Sequence, residues 1–409
     1  MLSVADAERI ILAAVAPLTE VEGVHLPDAT GRILATAVKS QLDFPHWDNS
    51  AMDGYAVRFE DVADCAEDNP QALEVIEEIA AGQPPEKTLQ SGQAARIFTG
   101  AMVPSGADTI VMQENTIREG DRVQVLKSPK ALGEFVRHRG RFYQAGTPLL
   151  NPGIRLGAAE IAVLAAAQCN LIKVIRQPRV AILSTGSELV APEQPLKPGQ
   201  IVDSNQYALA AFLEQLGIEA LRLGIVADEP QVLRQNIREA LQWGDVVLST
   251  GGVSVGDYDY IEGILQELGG EVLVQSVAIK PGKPLTMARF AKLRSLYFGL
   301  PGNPVSALVT AWRFVQPALL KLSGLSQGWQ PQFVEAITEL ALPAAPSRET
   351  YIWGQVKIHE GRFYFNCAGG SFSSGNLVNL AQTNACAVIP VGSPGIAAGE
   401  RLSLLLLSF

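Results

Sequence analysis

The sequence is poor in the features that mark several functional classes. It has only four cysteines, whose spacing fits neither a disulfide framework nor a zinc motif, so we expect reduced cysteines that serve packing. Its four histidines are scattered as well. Basic residues are outnumbered, with 32 Lys and Arg against 42 Asp and Glu, and the formal net charge is −10. Because nucleic-acid binding needs a basic face, these absences predict a cytoplasmic protein that binds no nucleic acid.

Long hydrophobic runs are also missing. The apolar stretches are interrupted by polar residues well short of the ~20 residues that a membrane-spanning helix needs. No basic stretch followed by an apolar signal core stands at the N-terminus. The apolar residues 402–409 are expected to form a final buried strand. The sequence thus predicts no membrane association, and its 47% hydrophobic content indicates a folded chain of several domains.

An alternation of strand-like and helix-like segments is present over residues 178–323. Five apolar segments each run into a turn that carries Gly, Ser, Thr, Lys or a carboxylate. These segments are 180–183, 220–226, 246–248, 272–279 and 297–300. The alternation predicts a doubly wound, mostly parallel α/β domain, in which ligands bind at the carboxyl ends of the strands. Five polar turns at one edge favour a binding site over purely structural turns.

The turn Thr250-Gly251-Gly252-Val253-Ser254 lies between a strand-like and a helix-like segment. The backbone N–H groups of such a glycine-rich turn form a site for anions. Lys280 and Lys283 bracket Pro281-Gly282, so both ammonium groups can face one ligand. Taken singly, the glycine pair also fits an ordinary tight turn, and each lysine also fits a solvated surface charge.

Carboxylates accompany these groups, namely Glu188, Asp203, Asp228, Asp257 and Asp259. Carboxylates beside phosphate groups are typical of a Mg²⁺ site, because Mg²⁺ prefers oxygen ligands. Such a metal neutralises charge during phosphoanhydride cleavage. The residues alone therefore predict a Mg²⁺-assisted enzyme that acts on a phosphorylated, nucleotide-bearing small molecule.

Segments of short strands and turns accompany the α/β region and predict a multidomain α/β plus β protein. The expected domains are an elongated helical and extended N-terminal domain (1–45 and 136–175), an inserted small β domain (46–135), the α/β domain (176–326) and a C-terminal β-barrel-like domain (327–409). Within the second of these, residues 48–54 crowd five Asp, Asn, Ser and Gly residues, including Asp53, into seven positions. This crowding favours function over simple turn capping.

Seven motifs, in this order, resemble those of the molybdopterin molybdenumtransferase family, which includes the gephyrin E domain. They occupy residues 48–57, 99–108, 184–189, 203–205, 251–257, 280–284 and 300–306. The likeness covers nearly the whole chain.

The resemblance implies an enzyme of molybdenum cofactor biosynthesis. Such an enzyme inserts molybdenum from molybdate into adenylylated molybdopterin, with Mg²⁺-dependent release of AMP. It also implies a homodimer whose site lies between the α/β domain of one chain and the first two domains of its partner, and a molybdopterin adenylyltransferase as a partner protein. Two alternatives stay open at this point. One is a catalytically impaired paralogue that serves as a molybdopterin-binding carrier or scaffold, and the other is a sugar-phosphate or nucleotide enzyme.

The resemblance further implies roles for individual residues. The implied catalytic residues are Asp53, Glu188, Asp259, Lys280 and Lys283. The implied metal ligands are Asp203 and Asp228. The implied substrate-binding residues are Thr99, Ser184, Thr185, Gly186, Thr250, Gly251, Gly252, Ser254, Asp257, Pro301, Asn303, Arg348 and Ser371. Asp53 and Thr99 would come from the partner chain, whereas Arg348 and Ser371 would approach from the C-terminal domain.

One stretch departs from the family pattern. After Arg137 the family usually reads Gly-Glu-Asp-x-x-x-Gly, but residues 140–146 read Gly-Arg-Phe-Tyr-Gln-Ala-Gly here. Arg141 and Phe142 therefore replace two acidic residues, one of which faces the inter-chain cleft in the family. The replacement predicts weaker handling of Mg²⁺ or molybdate, unless the remaining carboxylates suffice.

Overall fold

The computed structural model describes residues 1–252 and 260–407, and its contacts divide the chain into two compact units. The first unit comprises Met1–Thr36, Pro152–Ile161 and Leu171–Phe409. The second unit comprises Ala37–Asn151 and Ala162–Asn170. The boundaries of the four expected domains stay a prediction. Within the described residues, no helix is long and apolar enough to cross a membrane.

A six-stranded mixed sheet forms the centre of the first unit. Its strands lie in the spatial order Ala220–Val226, Val180–Thr185, Val246–Thr250, Ser295–Leu300, Pro284–Phe290 and Glu271–Ser276. The first four strands pair in parallel, and the last two pair antiparallel to their neighbours. The mostly parallel sheet that the sequence predicts is thereby confirmed.

Both faces of this sheet are covered, because apolar side chains point to both sides of its central strands. Val180 and Ile182 belong to one buried apolar cluster, whereas Ala181 and Leu183 belong to another. Successive side chains of a strand point to opposite faces, so a strand that is apolar throughout requires packing on both sides. The helices of this region are Asn205–Gln215, Pro230–Trp243, Ile261–Glu267, Pro304–Thr310 and Gln316–Leu322, with a π-helical segment at Ala311–Val315 between the last two.

The expected strand over 272–279 is in fact two strands, Glu271–Ser276 and Ile279–Lys280. The strand Pro284–Phe290, which the sequence interpretation missed, runs back between Glu271–Ser276 and Ser295–Leu300. Two successive antiparallel pairings leave Glu271–Ser276 running in the same direction as the four parallel strands. All five strands that were expected to end in polar turns therefore end at one edge of the sheet.

The C-terminal strands close into a five-stranded barrel, which confirms the predicted β-barrel-like domain. Around the barrel the strands are Glu349–His359, Arg362–Cys367, Phe333–Thr338, Arg401–Leu406 and Ala385–Ile389, and the last pairs again with the first. The barrel is attached to the α/β region through Ile279–Lys280, which pairs in parallel with residues 349–350. A short 3₁₀ helix, Leu377–Leu380, precedes the strand Ala385–Ile389.

The remaining elements of the first unit are small. Helix Val4–Ala14 begins after Ser3, whose hydroxyl oxygen accepts a hydrogen bond from the N–H of Asp6. Val21–His25, Leu171–Ile175 and Ile33–Leu34 form an antiparallel sheet. Leu189–Val190 pairs with Ile201–Val202, and Leu26–Asp28 is a 3₁₀ turn.

The second unit is built on another six-stranded sheet. Its strands lie in the order Thr109–Met112, Gly54–Val57, Gln93–Ile97, Gln71–Ile79, Arg122–Val125 and Thr116–Glu119. All of them fall within the residues for which the sequence predicts a small β module. The other elements in and around it are the pair Asn49–Ser50 and Val136–Arg137, the helices Phe59–Val62 and Ala158–Ala166, and the 3₁₀ turn Gln113–Asn115.

Candidate functional site

A polar cleft of about 350 Å³ lies at the edge where the parallel strands end. Three strands finish side by side there, because Ser184 is in register with Thr250, and Thr250 with Leu300. We call this space the glycine cleft. Seven residues that the sequence interpretation singled out line it, namely Thr185, Glu188, Thr250, Gly251, Gly252, Pro301 and Asn303.

The backbone of the glycine cleft requires glycine at two positions. Gly251 and Gly252 have φ values of +86° and +65°, which L side chains rarely adopt. A Cβ atom on Gly251 would lie 2.2 Å from the carbonyl oxygen of Thr185, so a larger residue would displace the neighbouring strand. The turn is therefore shaped for close backbone approach and leaves room for a ligand above it.

Hydroxyl groups join the strand ends behind this turn. The Ser184 and Thr250 hydroxyl oxygens lie 3.1 Å apart, and both side chains are buried. Ser184 thus holds two strands together and does not line the cleft. The Thr185 Oγ1 atom is buried and has no hydrogen-bond partner among the described residues. Gly186 is buried and does not line the cleft, and a Cβ atom on it would be 2.8 Å from the Glu188 carboxylate.

A second cleft of about 420 Å³ adjoins the first and shares Pro284, Asn303 and Ser306 with it. Three positively charged residues line it, namely Lys280, Lys283 and Arg348. We call it the cationic cleft, and we call the two clefts together the groove. Strand pairing puts Lys280 opposite Thr350. Arg348 directly precedes this paired segment, so the pairing brings it to the same cleft as Lys280. Both lysines line the same cleft, and their contact with one ligand stays a prediction.

The charges of the cationic cleft have no acidic partner in the part of the chain that the structure describes. Among residues 1–252 and 260–407, Lys280, Lys283 and Arg348 make no ion pair and no side-chain hydrogen bond. Both lysines are exposed, and Arg348 is half-buried. A cluster of three unpaired cations beside a glycine-rich turn is suited to an anion that carries more than one negative charge.

The barrel contributes an aromatic and hydroxyl-bearing wall to the cationic cleft. Phe372, Ser373 and Ser374 line it, and the side-chain amide of Asn303 donates a 3.0 Å hydrogen bond to the Ser374 hydroxyl oxygen. Ser371, which the resemblance implied, is exposed and is not a lining residue. The hydroxyl-rich composition of this stretch indicated the right segment. It could not show which serine lines the cleft, because the side chains of an irregular segment do not alternate regularly between its faces.

Two carboxylates near the glycine cleft influence each other. Partial burial and, after it, the negative charge of Glu188 raise the pKa of the Asp228 carboxyl above its usual range. Asp203 is buried instead, and its carboxylate accepts hydrogen bonds of 3.3 Å and 3.2 Å from the backbone N–H and the side-chain amide of Gln206. Mutually repelling carboxylates fit a hard divalent cation, whereas the oxygens of Asp203 are already occupied.

The described residues contain no cluster of three His, Cys, Asp or Glu side chains that could hold a metal ion by itself. If Mg²⁺ binds there, Glu188 and Asp228 would supply two oxygen ligands and water or substrate the others, an arrangement common for this ion. Three implied site residues, Ser254, Asp257 and Asp259, lie outside the described residues.

In the second unit, Asp53 and Thr99 form a tightly bonded pair. The backbone N–H and the hydroxyl of Thr99 each donate a 2.7 Å hydrogen bond to Oδ1 of Asp53. These two bonds, together with the positive charge of Arg96, lower the pKa of the Asp53 carboxyl. Oδ2 of Asp53 accepts no hydrogen bond from the described residues. Asp53 therefore presents a stable negative charge with one free oxygen.

Arg96, which sequence reasoning missed, supports this pair. Its guanidinium donates hydrogen bonds of 3.0 Å to the Gly54 carbonyl oxygen and 2.7 Å to the Gln113 side-chain oxygen. It also lies over the rings of Tyr55 and Phe98. A lone arginine on a strand carries no sequence signal for such a role, because its hydrogen-bond partners come from two distant segments.

The departure at Arg141 and Phe142 also lies in the second unit. The backbone N–H of Phe142 donates a 2.8 Å hydrogen bond to the carbonyl oxygen of Phe44, and the Phe142 side chain is 69% exposed. The Arg141 side chain makes no ion pair within the described ranges. The expected effect of these two residues on Mg²⁺ or molybdate stays a prediction.

Three family models match the chain in succession. Residues 2–167 match the MoeA N-terminal region (domain I and II), residues 181–321 match a probable molybdopterin binding domain, and residues 335–407 match the MoeA C-terminal region (domain IV).

Curated relatives are similar over the same length. A molybdopterin molybdenumtransferase from Nostoc sp. is 55% identical, with 100% of this chain and 94% of the relative covered. One from Haemophilus influenzae is 35% identical, with 94% of each chain covered. Among solved structures, a molybdopterin biosynthesis moeA protein from Pyrococcus horikoshii is 32% identical, with a TM-score of 0.82 and full coverage of both chains. This chain therefore belongs to the molybdopterin molybdenumtransferase family, a family of enzymes of molybdenum cofactor biosynthesis.

Proposed function

We propose that this protein inserts molybdenum from molybdate into adenylylated molybdopterin, with Mg²⁺-dependent release of AMP. The observation that carries the proposal is the continuity of the two clefts, which share Asn303, Ser306 and Pro284. One end of the groove offers backbone N–H and hydroxyl groups, and the other offers three cations. A substrate with a pyrophosphate link and a molybdate ion would bring negative charge to both ends.

The cations have a defined part in this reaction. When the phosphoanhydride bond breaks, negative charge develops on the departing AMP phosphate and must be stabilised. Lys280 and Lys283 act as point charges for these oxygens. The planar guanidinium of Arg348 can donate two parallel hydrogen bonds to one oxyanion, which suits a tetrahedral ion such as molybdate.

The glycine cleft holds the other part of the substrate. The N–H groups at Gly251 and Gly252 orient phosphate oxygens, and the buried hydroxyls of Thr185 and Thr250 lie behind the turn that presents them. Glu188 and Asp228 would hold Mg²⁺, which supplies further charge neutralisation when it is bound. Asp203, an implied metal ligand, would act indirectly by fixing Gln206 at the start of its helix.

Assembly and cellular context follow the family resemblance as part of the same proposal. We propose a cytoplasmic homodimer in which Asp53 and Thr99 complete the groove of the neighbouring chain. Asp53 has a stable negative charge and one oxygen that accepts no hydrogen bond from the described residues. These properties support a role in which it binds a cation or accepts a proton from the substrate. A molybdopterin adenylyltransferase would supply the adenylylated substrate.

The proposal is tested by AMP release from adenylylated molybdopterin in the presence of molybdate and Mg²⁺. Lys280→Ala and Lys283→Ala should each lower the rate by about 100-fold, the scale observed when one stabilising donor is removed from a transition state. Lys292→Ala is the matched control. This exposed lysine follows the far end of the strand that begins after Lys283, and its loss should leave the rate unchanged.

The competing function is a molybdopterin-binding carrier, to which the departure at Arg141 and Phe142 pointed. The full-length similarity to curated transferases favours the enzyme. A purified protein that binds adenylylated molybdopterin but releases no AMP would contradict the proposal and favour the carrier. Turnover that needs no molybdate would instead favour a nucleotide enzyme.

A further inference from the structure

The barrel wall of the cationic cleft belongs to an irregular segment, residues 368–376, which we call the serine segment. It contains the lining residues Phe372, Ser373 and Ser374. It lies between the strand Arg362–Cys367 and the short 3₁₀ helix Leu377–Leu380 and includes no regular element of its own. Backbone hydrogen bonds hold its two ends, from the N–H of Ala368 to the Trp353 carbonyl oxygen and from the N–H of Val305 to the Ser374 carbonyl oxygen. Between these ends, side-chain amides hold its carbonyl groups.

The side chain of Asn379 makes three hydrogen bonds, two of them to the serine segment. Its Oδ1 accepts a 2.9 Å hydrogen bond from the indole N–H of Trp353. Its Nδ2 donates to the carbonyl oxygens of Gly369 and Ser371, at 3.2 Å and 3.0 Å. The orientation of this amide is unambiguous, because an indole N–H can only donate and a carbonyl oxygen can only accept.

Trp353 gives Asn379 a rigid support. It is one of the largest fully buried side chains and lies in the barrel strand Glu349–His359. Its ring also contacts Phe372 edge-on, with centroids 5.6 Å apart. At the other end of the serine segment, Ser374 accepts the hydrogen bond from Asn303. The segment is thus held between the barrel core and the start of a helix of the α/β region.

We propose that Asn379 is a positioning residue for the cationic cleft, acting through the serine segment. Asn379 does not line the cleft itself, but its amide fixes the carbonyls on either side of Gly370, directly before the lining residues. The inference rests on the proposed function, since it assumes that the cationic cleft binds the anionic groups of the substrate.

The test compares Asn379→Leu with Asn384→Leu in the full-length protein. Asn384 is a matched control because its side chain also bonds the strand that carries Trp353, through the N–H and the carbonyl oxygen of Val356, yet it does not line the groove. Isothermal titration with inorganic pyrophosphate and with molybdate measures ligand affinity, and thermal unfolding measures stability.

We expect Asn379→Leu to raise the Kd for these anions by about tenfold, as the loss of properly oriented groups implies. Asn384→Leu should lower the unfolding temperature without changing the Kd. Asn379→Asp and Asn384→Asp serve as second variants if either leucine variant does not fold. Asn379→Asp keeps the acceptor for Trp353 but loses both donors. This variant should still bind the anions more weakly than the native protein at high salt. Salt would screen a repulsion that came only from the new aspartate charge.

Two results would overturn the inference in distinguishable ways. If the native protein binds the anions and the two asparagine variants change the Kd equally, Asn379 has only a structural role and the proposed function stands. If the native protein binds neither pyrophosphate nor molybdate, the proposed function fails together with the role of Asn379.

Discussion

Asp53 and Asp228 are both aspartates beside the end of a strand, yet their surroundings act in opposite directions. Two hydrogen bonds from Thr99 lower the pKa of Asp53. Partial burial and the neighbouring Glu188 raise the pKa of Asp228. The surroundings of Asp53 therefore favour its ionised form, whereas those of Asp228 disfavour it and leave a charge that a nearby cation would stabilise. The same residue type can thus serve as a permanent charge or as a metal ligand, depending on its neighbours.

Among the tests of this contrast between Asp53 and Asp228, Glu188→Gln should have the largest effect. It removes the charge that repels Asp228 and also one of the two oxygen ligands that we assign to Mg²⁺. We expect the Mg²⁺ concentration for half-maximal AMP release to rise by about 100-fold, the upper end of what changes around a metal cause. The measurement is a Mg²⁺ titration of the reaction rate.

Glu193→Gln is the control for that titration, because Glu193 is an exposed glutamate a few residues later in the chain that lines neither cleft. An unchanged Mg²⁺ requirement in Glu188→Gln would remove the physical basis for a metal site at Glu188 and Asp228.

A smaller effect is expected from Thr99→Val, which removes one of the two hydrogen bonds to Asp53 and keeps the backbone one. The pKa of Asp53 should rise toward its ordinary value of 3.8. Because the Asp53 carboxylate of the variant would take up its proton at a higher pH than in the native protein, the acid limb of activity should move to higher pH. At neutral pH we expect AMP release to fall by about tenfold, since a hydrogen bond to a charged group is lost.

Thr147→Val is the control for this profile, because its hydroxyl bonds only the Gln144 carbonyl oxygen in an exposed turn of the same unit. A pH profile of Thr99→Val that overlays the native profile would mean that the pair does not set the charge of Asp53.

The smallest effect should come from Asp228→Asn, measured by calorimetry without divalent cations. A raised pKa means that the folded state disfavours the ionised form, so this aspartate lowers stability above its folded pKa, and the loss disappears as pH falls below the ordinary value of 3.8. The asparagine variant should therefore unfold about 1 to 2 °C higher at pH 7, the scale of an exposed charge interaction.

Addition of Mg²⁺ should reverse that order, because only the native protein gains stability from binding the ion. A variant that stays more stable in Mg²⁺ would contradict the assignment of Asp228 as a ligand.

Some residues of the candidate site could be predicted from the sequence, and others could not. The glycine turn and the two lysines around Pro281-Gly282 were identified from local sequence, because a single short segment carries each signal. Ser373, Ser374 and Arg96 were not identified. Their importance depends on which distant groups lie beside them, and neither composition nor periodicity encodes those distances.

By itself, the sequence determined the fold class, the family and the edge of the sheet that carries the groove. These follow from local patterns: apolar runs form strands, and polar turns follow them in a fixed order. Only the tertiary structure decided that Pro284–Phe290 lies between two strands of one direction, and that Lys280 pairs with Thr350 and so brings Arg348 into the cleft. The opposite pKa shifts of Asp53 and Asp228 also belong to the tertiary structure, because electrostatic interactions depend on distance through space and not on separation along the chain.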